Sequence, residues 1–151
     1  MATSDSGVIE TRRLIAAARE RVWEAFSNPA ALAQWWGPAG FRNVFHECDF
    51  RPGGVWRFTM HSPDGAAYSM DHRFEEIVPL DRLVVRHLQP GHDFTLTVRF
   101  AAQGDRTAVT WRMRFDDPAE AARIRPVVEP ANEQNLDRLA ALLSGTPSSV
   151  R

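Results

Sequence analysis

The sequence predicts an α+β domain: one long antiparallel sheet, two short helices inserted after its first strand, and a single long helix at the C-terminal end. Three observations carry this. From Phe41 to Phe115 apolar residues recur with period two, broken by the turn-forming segments RPGG, SPDG, PLD, QPG and AQGD. Val22, Trp23 and Phe26 fall instead at helical spacing, as do Leu136, Leu139, Ala140 and Leu143. A sheet with one apolar face must bury it, and only the C-terminal helix is long enough to cover it.

Taken in order, Val8 to Ala17 reads as the first strand. Arg19 to Phe26 is a short amphipathic helix. Asn28 then serves as N-cap and Pro29 as first residue of a second short helix, which runs through Leu32 to Trp36 and stops at Gly37-Pro38. The strands of the meander are expected over 41–50, 54–61, 66–78, 82–89, 93–101 and 106–115. Alternation is cleanest in the last two: Phe94, Leu96, Val98 and Phe100 share one face, and Val109, Trp111, Met113 and Phe115 another. Pro126 and Pro130 argue against one unbroken helix from residue 118. The terminal helix is therefore expected over Pro130 to Ser144, with Gly145 as its stop. One domain over 8–144 results, with 1–7 and 145–151 as small, polar, frayed ends.

Composition excludes several functions. With 44% hydrophobic residues, 25% charged residues and a net charge of −1, no global field favours nucleic acid or an anionic membrane. All 18 basic residues are arginine, which rules out a lysine nucleophile or Schiff base; a GC-rich coding bias explains this better than a need for bidentate donors. Cys48 is the single cysteine, so no internal disulfide forms and a reducing compartment is expected. The N-terminal residues lack a signal-peptide pattern, and no apolar run reaches the length of a membrane span. The expectation is a cytoplasmic protein with no cofactor; its oligomeric state is open, a homodimer included.

The stretch FHECDFRPGGVWRFTMHSPDG, residues 45 to 65, sets ionisable groups beside an apolar stripe. Trp56, Phe58 and Met60 are expected to point inward. Gly53-Gly54 makes the turn and cradles no phosphate, because no helix follows it. In 41–50 two sets compete: Val44, His46, Cys48 and Phe50, or Phe41, Asn43, Phe45, Glu47 and Asp49. The first is less charged and is assigned inward, leaving Glu47 and Asp49 to pair with Arg57. Strand parity likewise places His72 with Tyr68, Met70 and Phe74, and His87 with Leu83 and Val85. Three inward imidazoles, His46, His72 and His87, point to a cavity with polar anchors, since a buried imidazole needs a partner and titrates near neutral pH. No HxH, HExxH or CxxC spacing seeds a metal site, and nothing local would activate Cys48. Of the Trp35-Trp36 pair, one packs in the core and Trp36 is assigned to the cavity mouth with Phe41, although both packing in the core is an equal reading. Asn132 and Asn135 sit on the helix stripe facing inward; Asn132 is equally placed to cap a first turn near Pro130.

The order of these elements, with VWEAFSNPAALAQWWG, DFRPGGVWRFTM followed by PDG, FEEIVPLDRLV and NEQNLDRLAALL, resembles the START-like (SRPBCC) superfamily. Within it the chain is similar to the branch named after the activator of the Hsp90 ATPase homologue, from about Ile9 to Leu143. The resemblance implies a helix-grip fold: about seven antiparallel strands curved around the C-terminal helix, enclosing a deep, largely apolar cavity. It also implies three functional classes. The first is a binding or carrier protein for a small apolar or aromatic molecule, held by the side chains assigned above, Phe94, Trp111 and Met113 among them. The second is a cyclase or dehydratase-type enzyme with a cavity histidine as general acid or base. The third is a co-chaperone-like or regulatory interaction domain. The chaperone-activating role belongs to relatives with an additional N-terminal domain and is not carried over.

Overall fold

The computed structural model describes residues 7–88 and 93–144. Strand β1 (Val8–Ile15) is followed by helices α1 (Arg19–Ser27) and α2 (Pro29–Trp35). The meander then comprises β2 (Arg42–Cys48), β3 (Val55–His61), β4 (Ala67–Val78), β5 (Arg82–His87), β6 (Phe94–Gln103) and β7 (Arg106–Phe115), and α3 (Pro118–Ser144) closes the chain. All seven strands form one antiparallel sheet in the order β1-β7-β6-β5-β4-β3-β2. The QPG break, the frayed ends and the Gly145 stop fall outside the described residues.

The short helices form as the sequence dictates. Asn28 accepts a hydrogen bond from the Ala30 amide through Oδ1 at 3.0 Å, with Pro29 in the first turn. Phe26 meets Trp35, Phe100 and Trp111 in edge or tilted contacts at 4.8, 5.0 and 6.4 Å, which seats α1 and α2 on the sheet. Trp35 is buried and donates its indole N–H to the Ala25 carbonyl at 2.9 Å.

Two β-bulges bend the sheet, one at His46 and one at Glu75, where the pairing registers slip between Phe45 and Glu47 and between Phe74 and Glu76. The RPGG turn is held by backbone contact: Gly53 carries φ +84°, and a Cβ at Gly54 would overlap the Asp49 carbonyl. The turn also bridges to β4: the Gly53 amide donates to the Phe74 carbonyl at 2.6 Å, and the Phe74 amide donates to the Gly54 carbonyl at 2.9 Å.

The C-terminal helix departs from expectation. It is unbroken from Pro118 to Ser144, with Pro126 and Pro130 inside it. The two prolines are four residues apart and solvent-exposed, as is Ala122. The carbonyls of Ala122 and Pro126 that lose their amide partners thus lie where water replaces the bond. The buried stripe, with Ala121, Asn132, Asn135, Leu136, Leu139 and Leu143, runs past the prolines undisturbed. Helix α3 packs on β1 and β7 and touches α1 and α2.

Replacing Gly54 with Ala is expected to cost about 3 kcal/mol, because the new methyl must displace backbone rather than a side-chain tip. Gly53→Ala, which meets no neighbour, is expected to cost about 1 kcal/mol from its positive φ alone. Urea unfolding of the two variants side by side checks the ordering.

Candidate functional site

Between the middle of α3 and the concave face of the sheet lies a cavity of about 170 Å³. Its sheet wall is apolar: Met60, Met70, Phe94, Leu96, Trp111 and Met113. Trp36, Gly37 and Pro38 form a second wall, and Ala131, Asn132 and Asn135 of α3 a third. His72 and His87 supply the polar end. Pro38, Met70, Phe94 and Ala131 are only half-buried.

The second wall is fixed by an arginine that sequence reasoning missed. Arg138 donates Nη1 to the carbonyls of Trp36, Gly37 and Pro38 at 3.2, 3.0 and 3.0 Å, and Nη2 to that of Gln34 at 3.0 Å. These include the last carbonyls of α2, which lack intrahelical partners, and a cation there also suits the helix dipole. Asn135 adds a bond from the Gly37 amide to its Oδ1 at 3.1 Å. Gly37 itself carries φ +100°, and a Cβ there would stand 2.6 Å from the Met60 methyl. The signal was present: Asn135 and Arg138 are one helical turn apart, and a short helix ending in WWGP leaves carbonyls needing donors.

The two histidines form a bonded pair. His72 on β4 lies opposite His87 on β5, with His87 Nδ1 3.1 Å from His72 Nε2. Both are buried, at 5% and 4% exposure. His72 is stacked parallel to Phe58 at 5.3 Å and tilted against Trp56 at 4.9 Å, while His87 stacks on Phe94 at 4.6 Å. Burial first, and the neighbouring His87 second, hold the His72 pKa well below the ordinary imidazole value. Among the described residues, His72 Nδ1 has no hydrogen-bond partner. An orphaned lone pair costs less than an orphaned N–H, so Nε2 is the protonated nitrogen and donates to His87 Nδ1.

His46 does not join them. It is the extra residue of the β2 bulge, exposed, with Nε2 2.7 Å from the Thr59 hydroxyl. Val44 is 42% exposed and Phe45, not His46, packs on Trp56 and Phe58 at 5.6 and 5.3 Å. One inserted residue explains both results: parity runs inward at Asn43 and Phe45, then resets so that Cys48 faces Trp56. Trp56 and Phe58 are buried behind the histidines and do not line the cavity. Phe41 sits away from it as well, against the half-exposed Tyr68 at 6.4 Å. Asn132 caps no helix end, since α3 begins at Pro118; it donates Nδ2 to Met113 Sδ at 3.3 Å. Trp36 does line the cavity, edge-on to Trp56 at 4.8 Å and tilted on Trp111 at 5.2 Å.

Other chemistry is limited. Burial and then Asp49 push the Cys48 thiol up to about 11, so it is no nucleophile at neutral pH. Arg57 pairs with Asp71 at 3.0 Å and Glu47 at 3.4 Å, whereas Asp49 pairs with Arg51. Among the described residues, no three His, Cys, Asp or Glu side chains are grouped to hold a metal ion. Among them, too, no helix is long and apolar enough to cross a membrane.

A buried neutral imidazole has a pH signature. The unfolded chain takes up a proton below about pH 6.5 while folded His72 does not, so stability is full above that pH and falls as acid is added. The expected loss is about 1.4 kcal/mol per pH unit from this group, until its depressed folded pKa is reached. Denaturant unfolding at pH 7.5, 6.5 and 5.5 reads it, and His72→Gln is expected to flatten the profile.

Residues 16–144 match the family profile described as Activator of Hsp90 ATPase homolog 1-like protein. No curated protein matches the chain. Protein CV1439 from Chromobacterium violaceum is 26% identical, with 93% of this chain and 99% of that chain covered, at a TM-score of 0.79. A protein from Arthrobacter aurescens is 22% identical, covers 95% and 88% of the two chains, and superposes at 0.87. DynU16, from the dynemicin biosynthetic locus, is 19% identical at a TM-score of 0.67; the match takes in 92% of this chain and 48% of that one. The latter two likenesses concern the fold alone. With seven antiparallel strands curved over one long helix, and a family profile matched along most of its length, the chain belongs to the Activator of Hsp90 ATPase homolog 1-like family, on the helix-grip fold of the START-like superfamily.

Proposed function

We propose that the protein binds a small apolar or aromatic molecule between α3 and the concave face of the sheet. The observation that supports this most is the cavity of about 170 Å³ with its apolar walls and a few polar groups at one side. An apolar cavity of about 150 Å³ admits benzene, so the ligand is one ring or a short chain in size, not a polycyclic compound. The walls are firmly held, by Arg138 on one side and by strand pairing on the other, so binding costs little reorganisation. Trp36, Met60, Phe94, Trp111 and Met113 give the contact area, and His72, His87, Asn132 and Asn135 the polar anchors.

A second reading, an enzyme of the cyclase or dehydratase type, draws on the His72–His87 bond at 3.1 Å. One imidazole that fixes the tautomer of another is what proton transfer to an enolisable substrate requires. An interaction domain has less in its favour: the large exposed apolar side chains, Leu14, Val44, Tyr68, Leu88 and Val127, are spread over β1, β2, β4, the end of β5 and α3. A cytoplasmic setting suits the single, half-buried thiol.

Native mass spectrometry of the purified protein, looking for a retained small molecule, is the direct test. In titrations, a single-ring compound is expected to bind with a stoichiometry near one. At a hundredfold excess over its Kd it should stabilise the fold by about 2.7 kcal/mol. Ala131→Phe fills the space from α3 and is expected to abolish binding with the fold intact; equal binding by that variant counts against the cavity. His87→Gln separates the two readings. A binding protein loses affinity by about 1 kcal/mol, whereas an enzyme loses turnover with affinity nearly unchanged.

A further inference from the structure

Among the described residues, the cavity walls carry no Asp, Glu or Arg side chain, and burial keeps His72 neutral. A carboxylate or an ammonium entering this space would give up its hydration and find no counter-charge. The groups that remain to be satisfied are uncharged and of both kinds. Asn135 spends its Oδ1 on the Gly37 amide, which fixes the orientation of its amide and leaves the Nδ2 hydrogens unspent among the described residues. Asn132, three residues earlier on the same helix face, lends Nδ2 to Met113 Sδ and keeps its carbonyl oxygen. A donor and an acceptor therefore border one ring-sized apolar space. A hydroxyl is the smallest group that both accepts and donates.

Given the reading of this cavity as a ligand site, on which the inference rests, we propose that it selects a phenol in its neutral form. The ring lies among Trp36, Phe94, Leu96 and Met113. The hydroxyl oxygen accepts from Asn135 Nδ2, and its hydrogen goes to Asn132 Oδ1. A neutral hydroxyl satisfies both groups. A phenolate would leave Asn132 facing a second acceptor and a charge without counter-ion.

The test is a four-compound NMR titration of the whole protein at pH 7, following the indole N–H signals, with toluene, phenol, benzoate and benzylamine. Phenol is expected to bind roughly five- to tenfold more tightly than toluene, as one or two net hydrogen bonds allow. Benzoate and benzylamine are expected to bind at least tenfold more weakly than toluene. Asn132→Leu removes the acceptor for the hydroxyl hydrogen at nearly constant volume and adds no charge; it should erase the advantage of phenol while toluene, the control for an intact cavity, still binds. With 4-nitrophenol near its own pKa, binding should bleach the yellow phenolate colour. Toluene binding with no gain for phenol, benzoate as tight as phenol, or a deepened yellow would overturn the hydroxyl inference and leave the cavity reading in place. A panel in which toluene also fails to bind overturns both.

Discussion

The sheet has one continuous apolar face, and the chain provides too little helix to cover it. Helix α3 reaches β1 and β7, while α1 and α2 meet β6, β7 and β2. Bulges at His46 on β2 and Glu75 on β4 bend the sheet, and α3 makes its sheet contacts on β1 and β7. Large rings narrow the space between them without closing it: Trp36 and Trp111 meet at a tilted angle that leaves room beside them. The cavity is what remains.

A gap of this kind survives only if its walls resist collapse. The second wall is a loop after a helix of two turns, and its large side chain, Trp36, packs on Trp35, Trp56 and Trp111. Its backbone is held from two sides: the Arg138 guanidinium, with its fixed fork of donors, engages four carbonyls, and Asn43 Nδ2 also donates to that of Trp36 at 2.8 Å. Desolvation lowers the Arg138 pKa from the usual arginine value, but the group stays charged because the carbonyl dipoles converge on it. The same contact joins α2 to α3, so the cavity wall and the tertiary packing of the short helices are one structure.

The polar end obeys a different constraint. His72 is buried between Phe58 and Trp56, where burial holds its imidazole neutral. It meets His87, which stacks on Phe94.

Much of this could be read from the chain. Period-two alternation determined six of the seven strands, and Asn28-Pro29 and the Leu136 stripe determined where helices begin and what they bury. It also paired the parity of His72 and His87 with apolar neighbours, because each lies two positions from one, Phe74 and Val85 respectively. Three things were decided only by tertiary structure. His46 turned outward because a single bulge residue reverses parity, and a bulge is set by the partner strand, not by local composition. The prolines of α3 were tolerated because folding placed them on the solvent side, where water takes over the lost bonds; the sequence records the prolines but not which side faces water. The meeting of the two imidazoles and the reach of Arg138 to four carbonyls depend on register and on helix docking, which sum interactions from the whole chain and so cannot be seen in any one segment of it.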